Sequence, residues 1–428
     1  MPNFLVCSIS NRASSDPSKG HYYWMYKALF DFQNRGEPSA GTTIGPRGED
    51  GAHLRPVISR KFAKAEFRVS PLSTLTYPFG SIRQELTKQQ KWGVTHVQFY
   101  DGGLRELLVT HWLADRFPTL EFVYNFHWAE SWVTLFESKS IAGRKLAKSV
   151  AEVCRLSPPN VSLTAETTPF SHFLESHTGR KFGTFPIAST LGPTKNRPWE
   201  DREIDVLFLP QRASEMPTVS RLAASLHRAG FRVQTIIGKA ITHQRDLKQP
   251  EGIVMNGPLD MGEYRDTLSS SKVAVLPYDK PYFRWGSSGK FNELLGCGAF
   301  PFVPHWTAIA SQSNGNEQQH HLEFTDYEET RRKIIERLHA GPPEDLRGMH
   351  LRDYFLWLPH RSLAENYSGR SFQRRLTRAG AVLWAFLYRH PSRMAATRRA
   401  AGRLFDSFRK PQESQPLNNE ADPELFES

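Results

Sequence analysis

The chain has 428 residues, 39% of them hydrophobic and 23% charged, which is long enough for two ordinary domains with globular composition. It contains no uninterrupted apolar run of the roughly 18–20 residues that a membrane-spanning helix needs. The net charge of +11 is concentrated in Arg370–Lys410, which hold eleven basic residues and one acid. This pattern argues against nucleic acid binding across the whole fold and for a local basic surface near the C-terminus.

Short apolar runs alternate with helix-period stretches from Met1 to about Ala340. In the first half the predicted strands are Phe4–Ile9, Thr95–Tyr100, Glu121–Phe126 and Lys181–Pro186. A helix is predicted over 104–112, where apolar residues recur at helical spacing. The Gly-, Pro- and Arg-rich residues 33–81 are predicted to form long loops. This alternation predicts a parallel sheet in a Rossmann-like domain over residues 1–192, beginning with a strand and not with a signal peptide.

After a linker at Thr190–Pro198 the same alternation restarts. The predicted strands are Asp205–Leu209, Arg232–Ile237, Gly252–Asn256, Lys272–Leu276 and Ala299–Val303, and the predicted helices are one that ends at Gly230, Met261–Ser271 and Ser288–Gly296. We therefore predict a second doubly wound domain over 204–340. A helical, basic extension is predicted over 341–410 and a disordered acidic tail over 411–428.

Small and hydroxyl residues precede the helix predicted at Ser288–Gly296. A helix N-terminus offers unpaired N–H groups to a diphosphate, and the neighbouring Arg284 and Lys290 add full positive charges. Glu293 lies about one turn into the helix, where a carboxylate could meet a ribose diol. The alternative is an ordinary capped helix with a polar entry. A P-loop is excluded because Phe291 replaces the metal-binding hydroxyl residue.

The ordered series Met255–Asp260, Glu263 with Tyr264, Ser271–Pro277 and Ser288–Val303 resembles the donor half of GT-B glycosyltransferases. More narrowly, it is similar to the retaining type called glycosyltransferase group 1. The resemblance implies an α/β fold of two tandem doubly wound, Rossmann-like domains with a helical C-terminal extension. It covers about Ile204–Val303 well and Phe4–Pro186 loosely.

The resemblance also implies roles for individual residues. Glu293 would hold the ribose hydroxyls, Ser287, Ser288, Gly289 and Lys290 the donor phosphates, Gly257 would lie near the base, and Arg212 would bind phosphate. The chain departs from the family at Trp285, where a second carboxylate is usual. It also lacks a clear counterpart of the family's lysine within 213–218, for which Lys290 is a candidate substitute.

Three loops of the first half carry further candidates. His127 follows the strand Glu121–Phe126, as does a cleft histidine in the family, and could hydrogen-bond a sugar hydroxyl or the oxygen where charge develops. Asp101 follows the strand Thr95–Tyr100 and is a second catalytic candidate, with helix capping as its alternative. Gly20 and His21 follow the first strand and mark an acceptor-side loop. For His127 the alternative is an ordinary structural histidine.

The leading hypothesis is a glycosyltransferase that moves a sugar from a nucleotide-sugar to a glycan or lipid-linked acceptor, in surface polysaccharide synthesis, without a metal or other cofactor. A catalytically inactive GT-B scaffold that binds a glycan or a protein, and another enzyme on the same plan such as an epimerase, remain alternatives. We expect a cytoplasmic protein. The basic residues 380–410 predict peripheral contact with the inner membrane face; packing across the first domain and contact with RNA or DNA are the alternatives, although the chain has no recognisable nucleic-acid module.

Overall fold

The computed structural model describes residues 4–7, 86–87, 90, 96–185, 197–238, 241, 254–257, 259–313, 317–342 and 371–389. Within these ranges the chain forms two separate sheets, and every strand pairing in both is parallel. The predicted α/β plan of two tandem domains is therefore confirmed.

The first sheet has five strands that lie side by side in the order of the chain. These are β1 (Phe4–Cys7), β2 (His96–Gly102), β3 (Glu121–Phe126), β4 (Val161–Ala165) and β5 (Gly183–Thr184). The helices between them are α1 (Leu104–Ala114), α2 (Ala129–Phe136), α3 (Ile141–Arg155) and α4 (Thr168–Thr178). Because helices cover both faces of a parallel sheet, its strands are buried on both faces, and all residues of β3 after Glu121 are buried. The bounds of β3 match the prediction residue for residue.

The second sheet has six strands in the order β11-β10-β9-β6-β7-β8. They are β6 (Ile204–Phe208), β7 (Val233–Ile236), β8 (Val254–Asn256), β9 (Ser271–Val275), β10 (Phe300–Pro304) and β11 (His321–Leu322). The helices are α5 (Met216–Arg228), α6 (Met261–Ser269), α7 (Gly289–Gly296) and α8 (Tyr327–His339). The chain winds outward from β6 to β8, returns to β9 beside β6, and winds outward again. This reversal is the switch point at which open α/β sheets bind ligands beyond the carboxyl ends of their strands.

The C-terminal helix α9 (Ser371–Arg389) packs across the first domain. Ala381 is fully buried in the first domain's core, and Val382 and Trp384 pack against it. Two arginines of the helix, Arg374 and Arg378, bind the carboxylate of Asp115 at 2.7 and 2.9 Å. The packing alternative therefore holds for Ala381, Val382 and Trp384, and membrane contact by the rest of residues 380–410 stays a prediction. Among the described residues, no helix is both long and apolar enough to cross a membrane.

Several predictions fall outside the described residues. These are the acceptor-side residues Gly20 and His21, the loops at 33–81, most of the linker, residues 390–410 and the acidic tail at 411–428. The strand predicted at Lys181–Pro186 is present in shorter form as β5. The domain boundaries themselves remain predictions, although each sheet lies inside one of the predicted domains.

Candidate functional site

The loops after β6 and β9 meet at the switch point of the second sheet. Arg212 follows β6, and its guanidinium lies 3.3 Å from the carboxylate of Asp279, which follows β9. The buried carboxylate of Glu215 fixes both loops, because it accepts hydrogen bonds from the backbone N–H groups of Gln211, Arg212 and Asp279 at 2.6, 3.2 and 3.3 Å. Arg212 is thus held in the crevice beyond the carboxyl ends of β6 and β9, with half its side chain exposed. An anionic ligand there would compete with Asp279 for Arg212.

Helix α7 starts at the same crevice. Ser288 is its N-cap and leaves the first-turn N–H groups without a side-chain cap; its hydroxyl lies 3.3 Å from that of Tyr278 instead. Gly289 is the first helical residue. Lys290 follows, and burial lowers the pKa of its ammonium while the carboxylates of Glu293 and Glu215 act in the opposite direction. The α7 N-terminus and the Lys290 ammonium therefore lie near the loop that bears Arg212, because Lys290 and the Arg212 N–H both interact with Glu215. Together they supply the positive charge that an anion site requires.

Glu293 is 8% exposed and accepts a hydrogen bond of 3.0 Å from the hydroxyl of Tyr264 on α6. Burial and the neighbouring Glu293 raise the pKa of Tyr264 well above its usual value, so the phenol stays a donor. Gly257 directly follows β8, at the carboxyl edge of the sheet. Arg284 is exposed, and its guanidinium carbon lies 5.7 Å from the ring centre of Trp285. Of the predicted donor residues, Arg212, Ser288, Gly289, Lys290 and Glu293 come together around the crevice.

His127 lies at the carboxyl end of β3, as predicted, and is almost completely buried. Its Nδ1 atom is 2.7 Å from Oε1 of Glu166, a residue that directly follows β4. The same oxygen accepts the backbone N–H of Trp128 at 2.7 Å. A carboxylate on one ring nitrogen fixes the orientation of the imidazole and stabilises the imidazolium that forms when the ring accepts a proton. The pair therefore supplies the carboxylate–imidazole contact on which an acid–base unit is built.

The second oxygen of Glu166 faces the other domain. Oε2 accepts hydrogen bonds from the hydroxyl of Tyr282 at 2.6 Å, and from the N–H and the hydroxyl of Ser287 at 3.0 and 3.1 Å. Burial alone would raise the pKa of Glu166, but the charge and hydrogen bond of His127, the phenol and the Ser287 N–H lower it to about 2. The carboxylate is thus ionised and bonded on both sides. Ser287, predicted as a phosphate ligand, directs both polar groups at Glu166 in this structure.

Trp285 occupies the position where the resembling family has a carboxylate. Its ring packs on the first domain, 5.1 Å from the ring centre of Phe173, and its carbonyl accepts a hydrogen bond of 2.6 Å from Thr167. The next residue must be small, because a Cβ on Gly286 would lie 2.4 Å from the ring of Tyr282. The turn from Tyr282 to Ser287 is therefore the contact between the domains at this point.

Asp101 lies inside β2, which continues to Gly102, two residues beyond the predicted strand end at Tyr100. The pairing register of β2 with β3 shifts between Phe99 and Gly102, and Gly102 pairs with Phe126. The N-cap of α1 is Gly103, so capping by Asp101, the alternative interpretation, is wrong. The backbone places Asp101 at the same sheet edge as His127, and its catalytic role stays a prediction.

Sequence reasoning missed Glu166 and Tyr282, and it quoted Tyr264 in the resembling series without giving it a role. Glu166 follows a parallel strand just as His127 does, so the argument that selected His127 would have selected it had β4 been predicted. Within the described ranges, no three His, Cys, Asp or Glu side chains form a group that could hold a metal ion. The expectation of metal-free chemistry remains a prediction.

Comparison with known proteins gives structural likeness only. No family model and no curated protein matches the chain. Among solved structures, the chain is similar to T4 phage BGT in complex with UDP and Mn2+, at 11% identity and a TM-score of 0.38, over 90% of this chain and 99% of that one. It is similar to the glycotransferase of kitacinnamycin, at 11% identity and a TM-score of 0.43, over 91% and 99%.

A third similar structure is a putative UDP-N-acetylglucosamine 2-epimerase from Listeria monocytogenes, at 12% identity and a TM-score of 0.40, over 79% of this chain and 88% of that one. All three TM-scores lie below 0.5. The function therefore has to be argued from the site itself.

Proposed function

We propose that the chain is a glycosyltransferase that moves a sugar from a nucleotide-sugar to a hydroxyl group of a glycan or lipid-linked acceptor, with a cell-surface polysaccharide as the expected product. One observation carries the proposal. The His127–Glu166 pair of the first domain is hydrogen-bonded to Ser287, two residues before the α7 N-terminus that would bind a diphosphate. A proton acceptor and an anion site thus adjoin across the domain contact.

In the proposed reaction the acceptor hydroxyl attacks the anomeric carbon, a carbon–oxygen bond to the acceptor forms, and the bond to the diphosphate breaks. The hydroxyl proton passes to His127, and Glu166 stabilises the resulting imidazolium. Arg212, Lys290 and the first N–H groups of α7 stabilise the charge on the departing diphosphate. Glu293 holds the ribose. No step requires a group outside these residues and the two substrates.

The test is release of nucleoside diphosphate from a panel of UDP- and GDP-sugars, with and without glycan and lipid-linked acceptors. His127→Ala should lower turnover by roughly a hundredfold or more and leave donor affinity nearly unchanged. His127→Asn, which keeps a hydrogen-bond donor, should retain more activity than the alanine variant. The matched control is His172→Ala, which removes an exposed histidine from α4.

The remaining outcomes separate the alternatives. Nucleotide binding without turnover of any donor would favour the inactive scaffold, and conversion of a nucleotide-sugar without transfer would favour an epimerase. If both His127 variants turn over like the parent, His127 is structural and Asp101 is the next catalytic candidate.

For residues 390–410 we propose contact with an anionic membrane surface, which would bring the enzyme to a lipid-linked acceptor. The support is charge, since this segment has six basic residues and one acid. Truncation after Arg389 keeps α9 and should abolish sedimentation with phosphatidylserine vesicles while sparing turnover of a soluble acceptor. Undiminished sedimentation would contradict the proposal.

A further inference from the structure

The carboxylate of Glu166 divides its two oxygens between the domains. Oε1 contacts groups of its own domain, the imidazole of His127 and the N–H of Trp128, both at 2.7 Å. Oε2 contacts the second domain, the phenol of Tyr282 and both polar groups of Ser287. The Glu166 carboxylate, which orients the proposed catalytic His127, is therefore itself oriented by residues of the second domain.

A single turn of the second domain delivers these donors. The carbonyl of Tyr282 accepts the N–H groups of Trp285 and Gly286 at 3.2 and 2.8 Å, which closes the turn. The missing side chain at Gly286 lets the ring of Tyr282 lie against the backbone just before Ser287. Thr167, the residue after Glu166, holds the turn from the other side through the carbonyl of Trp285. The donors are thus fixed relative to one another and to the carboxylate.

A buried carboxylate needs such donors to remain ionised in one orientation. Without the second domain's three donors, Oε2 would have to bind water or a proton, and the carboxyl group could rotate away from His127. Charge-assisted hydrogen bonds like these are about twice as strong as neutral ones. The contact between the domains therefore has a direct effect on the geometry of the histidine.

We propose that Tyr282 and Ser287 are positioning residues that act on His127 through Glu166, so that the acid–base pair is complete only when the two domains are in contact. The proposal rests on the proposed function and deepens it. The turn that bears Tyr282 and Ser287 leads directly into α7. The helix that would bind the diphosphate is therefore continuous with the turn that completes the His127–Glu166 pair. Donor binding and assembly of the acid–base pair are thereby linked.

The first test uses Tyr282→Phe, which removes one hydroxyl, and Ser287→Ala as an independent second variant. Each should lower kcat roughly tenfold to a hundredfold, the loss expected for one hydrogen bond to a charged group, with donor KM and nucleotide affinity little changed. Tyr327→Phe is the matched control, because its hydroxyl donates to the Arg221 carbonyl at 3.1 Å, between α8 and α5, and has no part in the Glu166 contacts. Its kcat should equal the parent's.

A double-mutant cycle identifies the route of the effect. If Tyr282 acts through Glu166, then Tyr282→Phe should cost little further activity in a Glu166→Gln background. A tyrosine that contacts substrate directly would cost the same factor in both backgrounds, and that additivity would overturn the proposal.

A spectroscopic measurement keeps the proposal separate from the proposed function. In nitrogen-15 histidine spectra, the proton shared by His127 and Glu166 should give a signal that Glu166→Gln removes. Tyr282→Phe should shift this signal and Tyr327→Phe should not. If the parent has no transferase activity but Tyr282→Phe still shifts the signal, the proposed function is refuted and the positioning role is retained. An unchanged signal in Tyr282→Phe refutes the positioning role itself.

Discussion

Two buried carboxylates of this molecule have similarly lowered pKa values and opposite surroundings. Although burial acts to raise it, the pKa of Asp205 is lowered to about 2 by the bonds of Arg232 and Lys272, and that of Glu166 is also about 2. Asp205 lies at the amino end of β6, between two permanent cations at 3.0 and 2.9 Å. Glu166 lies at the carboxyl end of β4, among an imidazole, a phenol and a serine.

The difference shows that a low pKa by itself does not mark a functional residue. The cluster around Asp205 ties together the starts of β6, β7 and β9 and can serve stability alone. Glu166 is surrounded by a titratable ring and by two neutral residues, Tyr282 and Ser287, that give three hydrogen bonds, at the edge where parallel sheets bind ligands. Location at the carboxyl edge, with partners that can exchange protons, is what distinguishes the candidate site.

The strongest test of this comparison is Glu166→Gln against Asp205→Asn. We expect Glu166→Gln to lower turnover by at least about a hundredfold, because the imidazole loses the anion that orients it, while nucleotide affinity is retained. Folded Asp205→Asn should turn over like the parent. Steady-state kinetics on both variants, with folding checked by circular dichroism, measures the contrast. Equal losses in the two variants would show that location carries no information here.

Glu293 extends the comparison to the donor side. Glu293→Ala should weaken nucleotide binding by about 1–3 kcal/mol, since a charged hydrogen-bond partner is lost, with little change in fold. Isothermal titration calorimetry with UDP and GDP measures the effect, and Glu336→Ala on the exposed face of α8 is the control. Parent-like affinity in an intact Glu293→Ala protein would remove this residue from the site.

The cluster around Asp205, at the amino end of β6, should matter for stability instead of turnover. Asp205→Asn leaves Arg232 and Lys272 facing each other without an anion, and we expect a loss of about 1–2 kcal/mol in the free energy of unfolding, since Arg232 is partly solvated. Urea denaturation is the measurement. A variant as stable as the parent would mean that the cluster is solvated enough to be dispensable.

Lowering the pH should remove the contributions of Glu166 and Asp205 to the free energy of unfolding together. The pKa values of Glu166 and Asp205 lie below their ordinary values of 4.5 and 3.8, so each carboxylate stabilises the fold fully above its ordinary value. That stability is lost as the pH falls toward about 2. Between neutral pH and pH 3 the parent should lose more stability than the double variant Glu166→Gln/Asp205→Asn. Parallel pH profiles would contradict this expectation.

The smallest expected effect concerns Trp128, beside His127, whose φ of 61° and ψ of 56° are in the left-handed region. Glycine adopts this conformation without a Cβ penalty, so Trp128→Gly should be more stable than Trp128→Ala by up to about 1 kcal/mol. Trp306, exposed to nearly the same extent at 39% against 40%, is the control, because among described non-glycine residues only Trp128 has positive φ. At Trp306 the order should reverse. Thermal unfolding of the four variants measures both pairs.

The sequence predicted the buried strands best. Glu121–Phe126 matches β3 residue for residue, and Asp205–Leu209 differs from β6 by one residue at each end, because buried parallel strands are short apolar runs. The sequence did not predict β4, because the polar Ser162 and Thr164 interrupt its apolar run. This strand depends on tertiary bonds, such as those from the amide of Asn160 to three backbone carbonyls more than 39 residues away.

The position of the C-terminal helix could not be predicted either. Eleven basic residues in Arg370–Lys410 suggested a surface, yet Arg374 and Arg378 have their anion in Asp115, more than 250 residues earlier. Local charge gives no information about such a distant partner. The crevice around Arg212 and Lys290 was predictable for the opposite reason, since its residues follow predicted strands and begin a predicted helix.

The packing of α9 against the first domain also sets an order for folding on the ribosome. Ala381 fills the core of the domain that contains β1 (Phe4–Cys7), so that core is incomplete until α9 has been synthesised. The described strands of the second sheet, in contrast, all lie between Ile204 and Leu322, so its core can close while α9 is still inside the exit tunnel. Domains usually fold in the order in which they are made. Here the first domain is synthesised first but completed last. Until α9 has been synthesised, the apolar surface that it covers stays exposed.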